Sequence, residues 1–214
     1  MAVRYFEMSP PVAAAVKAGI PLVLLETGYF AAMPAEEAMH ALASAEQVIW
    51  QKGCVPCAVA VVGGRLKAGL SQPEAEFVFK TRTAAVRGDL ALLCSRKATS
   101  AVGPSAALAI GRQVGVIPAV LPSLSDEVHD LDALGCSAAM VFCHPLDEST
   151  LALMDARSIP VTEADPAADT DAWVIQQELF NSESIVCQCG DTVESLCAAA
   201  SDAAMLLKKK TDYI

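Results

Sequence analysis

The sequence predicts an α/β fold, a three-layer α/β/α arrangement around a mostly parallel sheet, in a single domain over residues 1–214. Three observations predict it. Six short apolar runs rich in Val, Leu and Ile show almost no polar alternation, which suits strands covered on both faces. Helical apolar patterns separate these runs, and repeated β–α alternation implies right-handed crossovers. The 214 residues are 54% hydrophobic and 19% charged, enough to bury a sizeable core and too apolar for a disordered chain.

Taken in order, a helix is expected over residues 11–17 and a first strand over 20–25. Residues 34–52 form the clearest amphipathic helix. Ala38, Met39, Leu42, Ala45 and Ile49 share one face, and Glu37, His40, Ser44 and Gln47 point away from it. A strand over Val55–Val62 runs into Gly63-Gly64 and then Leu66-Lys67-Ala68-Gly69-Leu70, so that 55–71 (VPCAVAVVGGRLKAGLS) is the most distinctive stretch of the chain. Further strands are expected over 89–94, 115–120, 138–143 and 159–162. Helices are expected over 72–79, 104–113, 127–134, 147–156 and 191–208. The polar segment 163–170 (EADPAADT) reads as a loop. Lys208, Lys209 and Lys210 fall where the last helix ends, a placement that favours the helix dipole more than nucleic-acid binding.

Charge narrows the function classes. Twenty-five acidic residues against 15 basic ones give a formal charge of −10. Such a surface repels phosphate backbones and anionic lipid, so no nucleic-acid or membrane partner is expected. No apolar run reaches the roughly 18–20 residues a spanning helix needs. The N-terminal stretch carries prolines and charges where a signal peptide has an unbroken apolar core. A cytoplasmic location is expected, with the eight cysteines reduced and mostly packed as small hydrophobes.

Several residue groups are candidates for chemistry. Glu26 follows the strand over 20–25, and ligands of open α/β sheets bind beyond the carboxyl ends of strands, where an acidic residue can move protons. Asp126, Asp130 and Asp132 surround His129. Carboxylates with a histidine suit a hard divalent ion, although Ser125 or Asp126 equally suits a helix cap. Cys54-Val55-Pro56-Cys57 has CxxC spacing, but a zinc site needs a second converging pair, and Cys57 is expected to point into the sheet. Cys143-His144 is a weak nucleophile–base pair, because neighbours in a strand face opposite ways. Gly63-Gly64 matches neither a Walker nor a dinucleotide loop, whereas Gly103-Pro104-Ser105, opening an alanine-rich helix, is a plausible anion-binding N-terminus.

These residues also carry a resemblance. Met8-Ser9-Pro10, residues 21–26, Met33-Pro34, residues 53–71, and Arg87 with Asp89-Leu90 follow one another as in the pseudouridine-5′-phosphate glycosidases, also called indigoidine-synthase-A-like proteins. The resemblance is good over residues 8–71, moderate to about residue 134, and a matter of α/β pattern beyond; on it the domain is C-terminally shortened. It implies an α/β/α homotrimer with Mn²⁺-dependent C–C glycosidase activity, converting pseudouridine 5′-phosphate to uracil and ribose 5-phosphate. It further implies sugar ring opening through a lysine Schiff base with a glutamate as proton donor. Glu26 matches the acid, Asp126 the metal-binding aspartate, and Asp130 an acidic residue of the substrate-contacting stretch that follows.

The chain departs from that pattern at several places. Thr27-Gly28 and Ala31-Ala32 replace Ser-Thr and His-Gly, and Ala84 stands where a lysine is expected. Residues 121–125 replace a glycine-rich loop bearing a histidine. No lysine occurs between Lys97 and Lys208, so Leu146 or Asp147 stands near the place of the Schiff-base lysine, and neither can act as an amine nucleophile. Lys80 or Arg82 is the nearest basic residue for a phosphate. The expected function is therefore a divergent glycosidase-like protein without the lysine chemistry, down to a noncatalytic relative. The alternative is an active metal-dependent glycosidase or hydrolase on a phosphorylated sugar or nucleoside, with Glu26 as general acid.

Overall fold

The computed structural model describes residues 5–114, 119–121, 140–142, 152, 161–162, 186–188 and 192–211. In chain order the described elements are β1 (Phe6–Met8), α1 (Pro10–Ala18), β2 (Leu22–Glu26), α2 (Thr27–Ala31), α3 (Ala35–Gln51), β3 (Val55–Val62), β4 (Arg65–Ala68), α4 (Gln72–Thr81), β5 (Ala84–Ala85), α5 (Leu90–Ser95), β6 (Ser100–Val102), α6 (Pro104–Gly111), β7 (Ala119–Leu121), β8 (Met140–Phe142), β9 (Val161–Thr162), β10 (Val186–Gln188) and α7 (Val193–Thr211). Among the described residues the sheet runs β1-β4-β3-β2-β7-β8-β10-β9, with β6 on β3 and β5 on β6. Pairing is parallel except for β3 against β4 and β3 against β6. The expected α/β architecture with a mostly parallel sheet is therefore the observed one.

Alternation along the strands sorts the core into two layers. Leu22 and Leu24 with Cys57, Val59 and Val61 face α1 and α6, and pack with Val12, Ala106 and Ile110. Val23 and Leu25 with Ala58 and Ala60 face the opposite layer, where Leu42 and Ile49 of α3, Phe79 of α4 and Leu196 of α7 cover them. All five residues of β2 are buried, which is why its sequence shows no polar alternation. α3 presents Ala38, Leu42, Ala45 and Ile49 at three- and four-residue spacing, as its periodicity predicts. α7 lies against α3 and is tied to it by Lys52 with Asp202 at 2.7 Å and by the Ser44 hydroxyl donating to Glu194 at 2.6 Å.

The distinctive 55–71 stretch folds as the β3–β4 hairpin. Gly64 has φ +76, and a Cβ there would stand 2.7 Å from the Cys94 carbonyl oxygen and from Lys97 Cα. Its N–H donates to the Ala98 carbonyl at 2.8 Å, docking the turn on the segment after α5. Gly69 has φ +83 and lies under the start of α1, where a Cβ would collide with Ser9 and come 2.8 Å from Val12 Cγ2. Both glycines are thus required by close packing as well as by a left-handed backbone.

One expected strand is a helix. Residues 89–94 instead contribute Asp89 to a 3-10 turn (Arg87–Asp89) and the rest to α5. The Asp89 side chain accepts from Val86 N–H at 3.1 Å and opens the turn. Leu90 and Leu93 then meet the core at three-residue spacing, while Leu92 stays 47% exposed. The apolar run is one helical face, not a strand. The short β1, β5, β6 and α2 had no separate sequence signal. The expected helix over 127–134, the loop over 163–170 and, apart from residue 152, the helix over 147–156 lie outside the described residues.

Candidate functional site

The carboxyl end of β2 is where the fold brings its polar groups together. Glu26, the last residue of β2, pairs in register with Val59 of β3 and is 1% exposed. Beyond that point the same edge of β3 is taken by β6, through Ala60 with Ala101 and Val61 with Ser100. β2 and β6 thus meet end to end along one strand. Thr27 fills the junction. Its hydroxyl donates to the Val59 carbonyl at 2.7 Å and accepts from Val102 N–H at 3.0 Å, with the side chain fully buried. Two main-chain groups that the interrupted ladder leaves over are satisfied by one side chain.

Strand alternation puts Glu26 on the same face as Val59, the face covered by α6. β6 leads through Gly103 directly into α6 with Pro at its first turn. Gly103 N–H donates to the Ala85 carbonyl at 3.0 Å, and Ser105 Oγ accepts from Arg87 N–H at 3.1 Å. These bonds hold the 3-10 turn beside the N-terminus of α6. The Arg87 side chain is exposed, and its guanidinium makes no ion pair among the described residues. Ala84 lies against α2: a Cβ on Gly28 would lie 3.1 Å from Ala84 Cβ and 3.0 Å from the Val102 carbonyl oxygen. The position matching the expected lysine holds alanine, and Ala84 pairs with Ala101, itself paired with Ala60, so it faces the α4 layer, away from Glu26.

The remaining candidates fall elsewhere. Lys67 pairs with Ala60 in register, so it faces the α4 layer, away from Glu26. Its ammonium binds Glu7 at 2.6 Å and Glu74 at 2.8 Å. Burial works against the Lys67 charge, but hydrogen bonds and charge from both carboxylates outweigh it and hold the pKa above its ordinary value. A lysine locked as an ammonium is no amine nucleophile. Lys80 is paired with Glu76 at 2.7 Å on the outer side of α4, and Arg82 is the left-handed residue ending α4. Cys54 and Cys57 belong to opposite core layers, so they cannot share a metal ion. Burial pushes the Cys57 thiol up to about 12, which makes it inert at neutral pH. Asp126, Asp130, His129 and Cys143-His144 lie outside the described residues. Among those that are described, no three His, Cys, Asp or Glu side chains form a cluster able to hold a metal ion.

The residue chemistry of the sequence signals Glu26 and the α6 N-terminus, whereas their neighbours Thr27 and Arg87 enter it only through the family resemblance, with no role at the site. The signal for Thr27 was available in principle, as a hydroxyl residue directly after a buried strand-end acid.

The chain is a mostly parallel α/β sheet protein with a buried acid at a strand's carboxyl end, the edge at which open α/β sheets generally take their ligands. Within that class the family is fixed by sequence. The model of the indigoidine synthase A like protein family matches residues 11–143, and this chain belongs to that family. Among curated relatives it is 32% identical to the pseudouridine-5′-phosphate glycosidase of Hahella chejuensis over 116 residues, 52% of this chain and 38% of that one. It is 30% identical to the corresponding protein of Mesorhizobium japonicum over 175 residues, 73% of this chain and 57% of the relative. The matches thus span well under two thirds of those relatives. Two solved structures share the fold. The prealnumycin C-glycosynthase AlnA, in complex with ribulose 5-phosphate, superposes with a TM-score of 0.78 at 12% identity, covering 99% of this chain and 100% of that one. An indigoidine synthase A-like protein of Thermotoga maritima gives 0.67 at 15% identity over 97% and 87% of the two chains.

Proposed function

We propose that this chain binds a pentose 5-phosphate at the carboxyl edge of β2, with Glu26 as its proton-transferring group, and that it does not carry out the lysine-dependent cleavage of pseudouridine 5′-phosphate. The observation that carries this reading is Glu26, buried at the carboxyl end of β2 on the face covered by α6, whose first turn holds the Arg87 backbone. The phosphate is received between the Arg87 guanidinium and the first turn of α6, where unsatisfied N–H groups and the helix dipole favour an anion. Glu26 then faces the sugar, and the Thr27 clamp fixes the main chain next to it before ligand arrives. There it can hold a proton at its carboxyl for a ring or glycosidic oxygen. The lysine-dependent step lacks its amine on this reading: Lys67 is committed to two carboxylates, and no lysine occurs between Lys97 and Lys208, where the family resemblance expects the Schiff-base lysine. AlnA, of closely similar length and fold, takes a pentulose phosphate, which supports the ligand class.

A second reading, a metal-assisted glycosidase or hydrolase, is favoured by one topological fact. β7 runs parallel to β2 and ends at Leu121 opposite Leu25, so the chain that leads to Asp126 departs from the edge where Glu26 sits. Five residues reach no farther than about 18 Å. On this reading Asp126 holds Mn²⁺ and Asp130 contacts substrate. No step of the first reading passes through a metal. A homotrimer in the cytoplasm is proposed for either case on family resemblance, and light scattering tests the assembly.

The test is direct. Ribose 5-phosphate and ribulose 5-phosphate should raise the melting temperature of the wild type, by up to about 2.7 kcal/mol of stabilisation at one hundred times Kd. R87A should abolish the shift. Pseudouridine 5′-phosphate with Mn²⁺ should release no uracil. Uracil release that E26Q or D126N abolishes overturns the first reading in favour of the second. No stabilisation by either phosphate, with or without Mn²⁺, overturns the sugar-phosphate site.

A further inference from the structure

A groove lies away from that edge, between α3 and α4 in the opposite layer, with a volume of about 580 Å³. This is the size of a small-molecule site. Its middle is apolar, formed by Met39 and Leu42 of α3 against Leu70 and Ala75. Its two ends on α3 are acidic. Glu36 and Glu46 stand ten residues apart on one helix, about 15 Å along its axis at 1.5 Å per residue. Among the described residues neither carboxylate has an ion pair. The groove's one lysine, Lys80, is already neutralised by Glu76, and His40 lies on the wall between the acidic ends. Three carboxylates against one paired ammonium leave the formal charge of the lining negative.

We propose that this groove is a binding site for a linear polyammonium ion. Its terminal ammoniums pair with Glu36 and Glu46, and its methylene chain covers Met39, Leu42, Leu70 and Ala75. The pattern of charge, apolar floor and charge excludes the phosphorylated ligands of the β2 edge, which the carboxylates repel. It also disfavours a purely apolar ligand, which would leave Glu46 buried beside it without a cation. Burial already raises the Glu46 pKa above the ordinary carboxylate value, so a cation placed there recovers electrostatic energy that water does not supply. The proposal is independent of the function proposed for Glu26.

Calorimetric titration of the full chain with spermine at about 0.15 M salt tests it, because exposed, nonspecific attraction is largely screened there. Extended spermine spans a distance comparable to that between the two carboxylates, and 1,4-diaminobutane is too short to do so. Saturable one-to-one binding of spermine is expected, with 1,4-diaminobutane at least tenfold weaker. E46Q and E36Q should each weaken spermine at least tenfold, and M39K, which puts a cation on the groove floor, should do the same. E37Q removes the same charge from the same helix outside the groove and should leave the affinity unchanged. Absence of saturable binding, equal loss in E37Q and E46Q, or undiminished affinity in M39K overturns the proposal. If E46Q unfolds, M39K and E36Q still decide the matter.

Discussion

Replacing Thr27 by valine removes one hydroxyl and keeps the shape of the side chain. That hydroxyl serves two buried main-chain groups, the Val59 carbonyl at 2.7 Å and the Val102 N–H at 3.0 Å. Valine satisfies neither. An unsatisfied buried polar group costs about 1–3 kcal/mol. The carbonyl has a second lone pair and some freedom to relax, so the two together should cost about 2–4 kcal/mol rather than the full sum. For a chain of this size that lowers the melting temperature by roughly 4–16 °C. T27S keeps the hydroxyl and loses a methyl group, for about 1 kcal/mol. Urea denaturation of wild type, T27V and T27S, followed by circular dichroism, measures all three. The proposed pentose-phosphate shift should also weaken in T27V, because the clamp holds the residue next to Glu26. A T27V loss no larger than that of T27S refutes the reasoning, since it shows the hydroxyl is not bridging the β2–β6 junction.

Three further outcomes are expected. K67M should destabilise by about 1–3 kcal/mol, below the usual cost of breaking a buried ion pair because Glu7 and Glu74 both reach water. Burial alone would raise the Glu74 pKa, but hydrogen bonds from Lys67 and Ser71 bring it below the ordinary value. Its contribution is complete above the unfolded pKa of about 4.3 and fades as pH falls through the folded one. The Lys67 contribution is complete below about 10.4 and fades as pH rises through its raised value. The stability gap between wild type and K67M should therefore be widest between these limits and narrow on either side; a gap independent of pH contradicts the pairing. G69A should lose about 2–4 kcal/mol in denaturant titration, from a left-handed alanine plus overpacking against Ser9 and Val12. Wild-type stability in G69A would remove the packing argument. Native-state thiol labelling mapped by mass spectrometry should leave Cys54, Cys57 and Cys197 unmodified while Cys94 reacts, since the first three are buried and Cys94 is half-buried. Fast labelling of Cys57 in the folded protein contradicts its placement in the core.

Much of the fold was legible because burial on both faces leaves a plain mark in sequence. Val55–Val62 was read with its true limits, and α3 and α4 within two residues at either end. These elements carry their own period, cap or punctuation, such as Ser71 with Glu74 opening α4. Residues 89–94 read as a strand because the five-residue apolar run after Asp89 has too few turns to reveal its period. β5 and β6 are two and three residues long, and their existence depends on β3 having an edge free beyond the end of β2. No local pattern encodes that.

The same division holds for the function. Sequence by itself determined the layered α/β class, the family, the acid at the end of the first long strand and the want of a lysine between Lys97 and Lys208. Those are properties of residue identity and order. Only the tertiary structure decided that Arg87 is held at the start of α6, and that Ala84 and Lys67 both face away from Glu26. Each depends on which strands pair and on which face a side chain emerges, and both are set by contacts between residues distant in the chain. The physical reason is that chemistry at this edge is assembled from β2, β5 and β6, whose register is fixed by burial of their neighbours and not by anything the site residues themselves prefer.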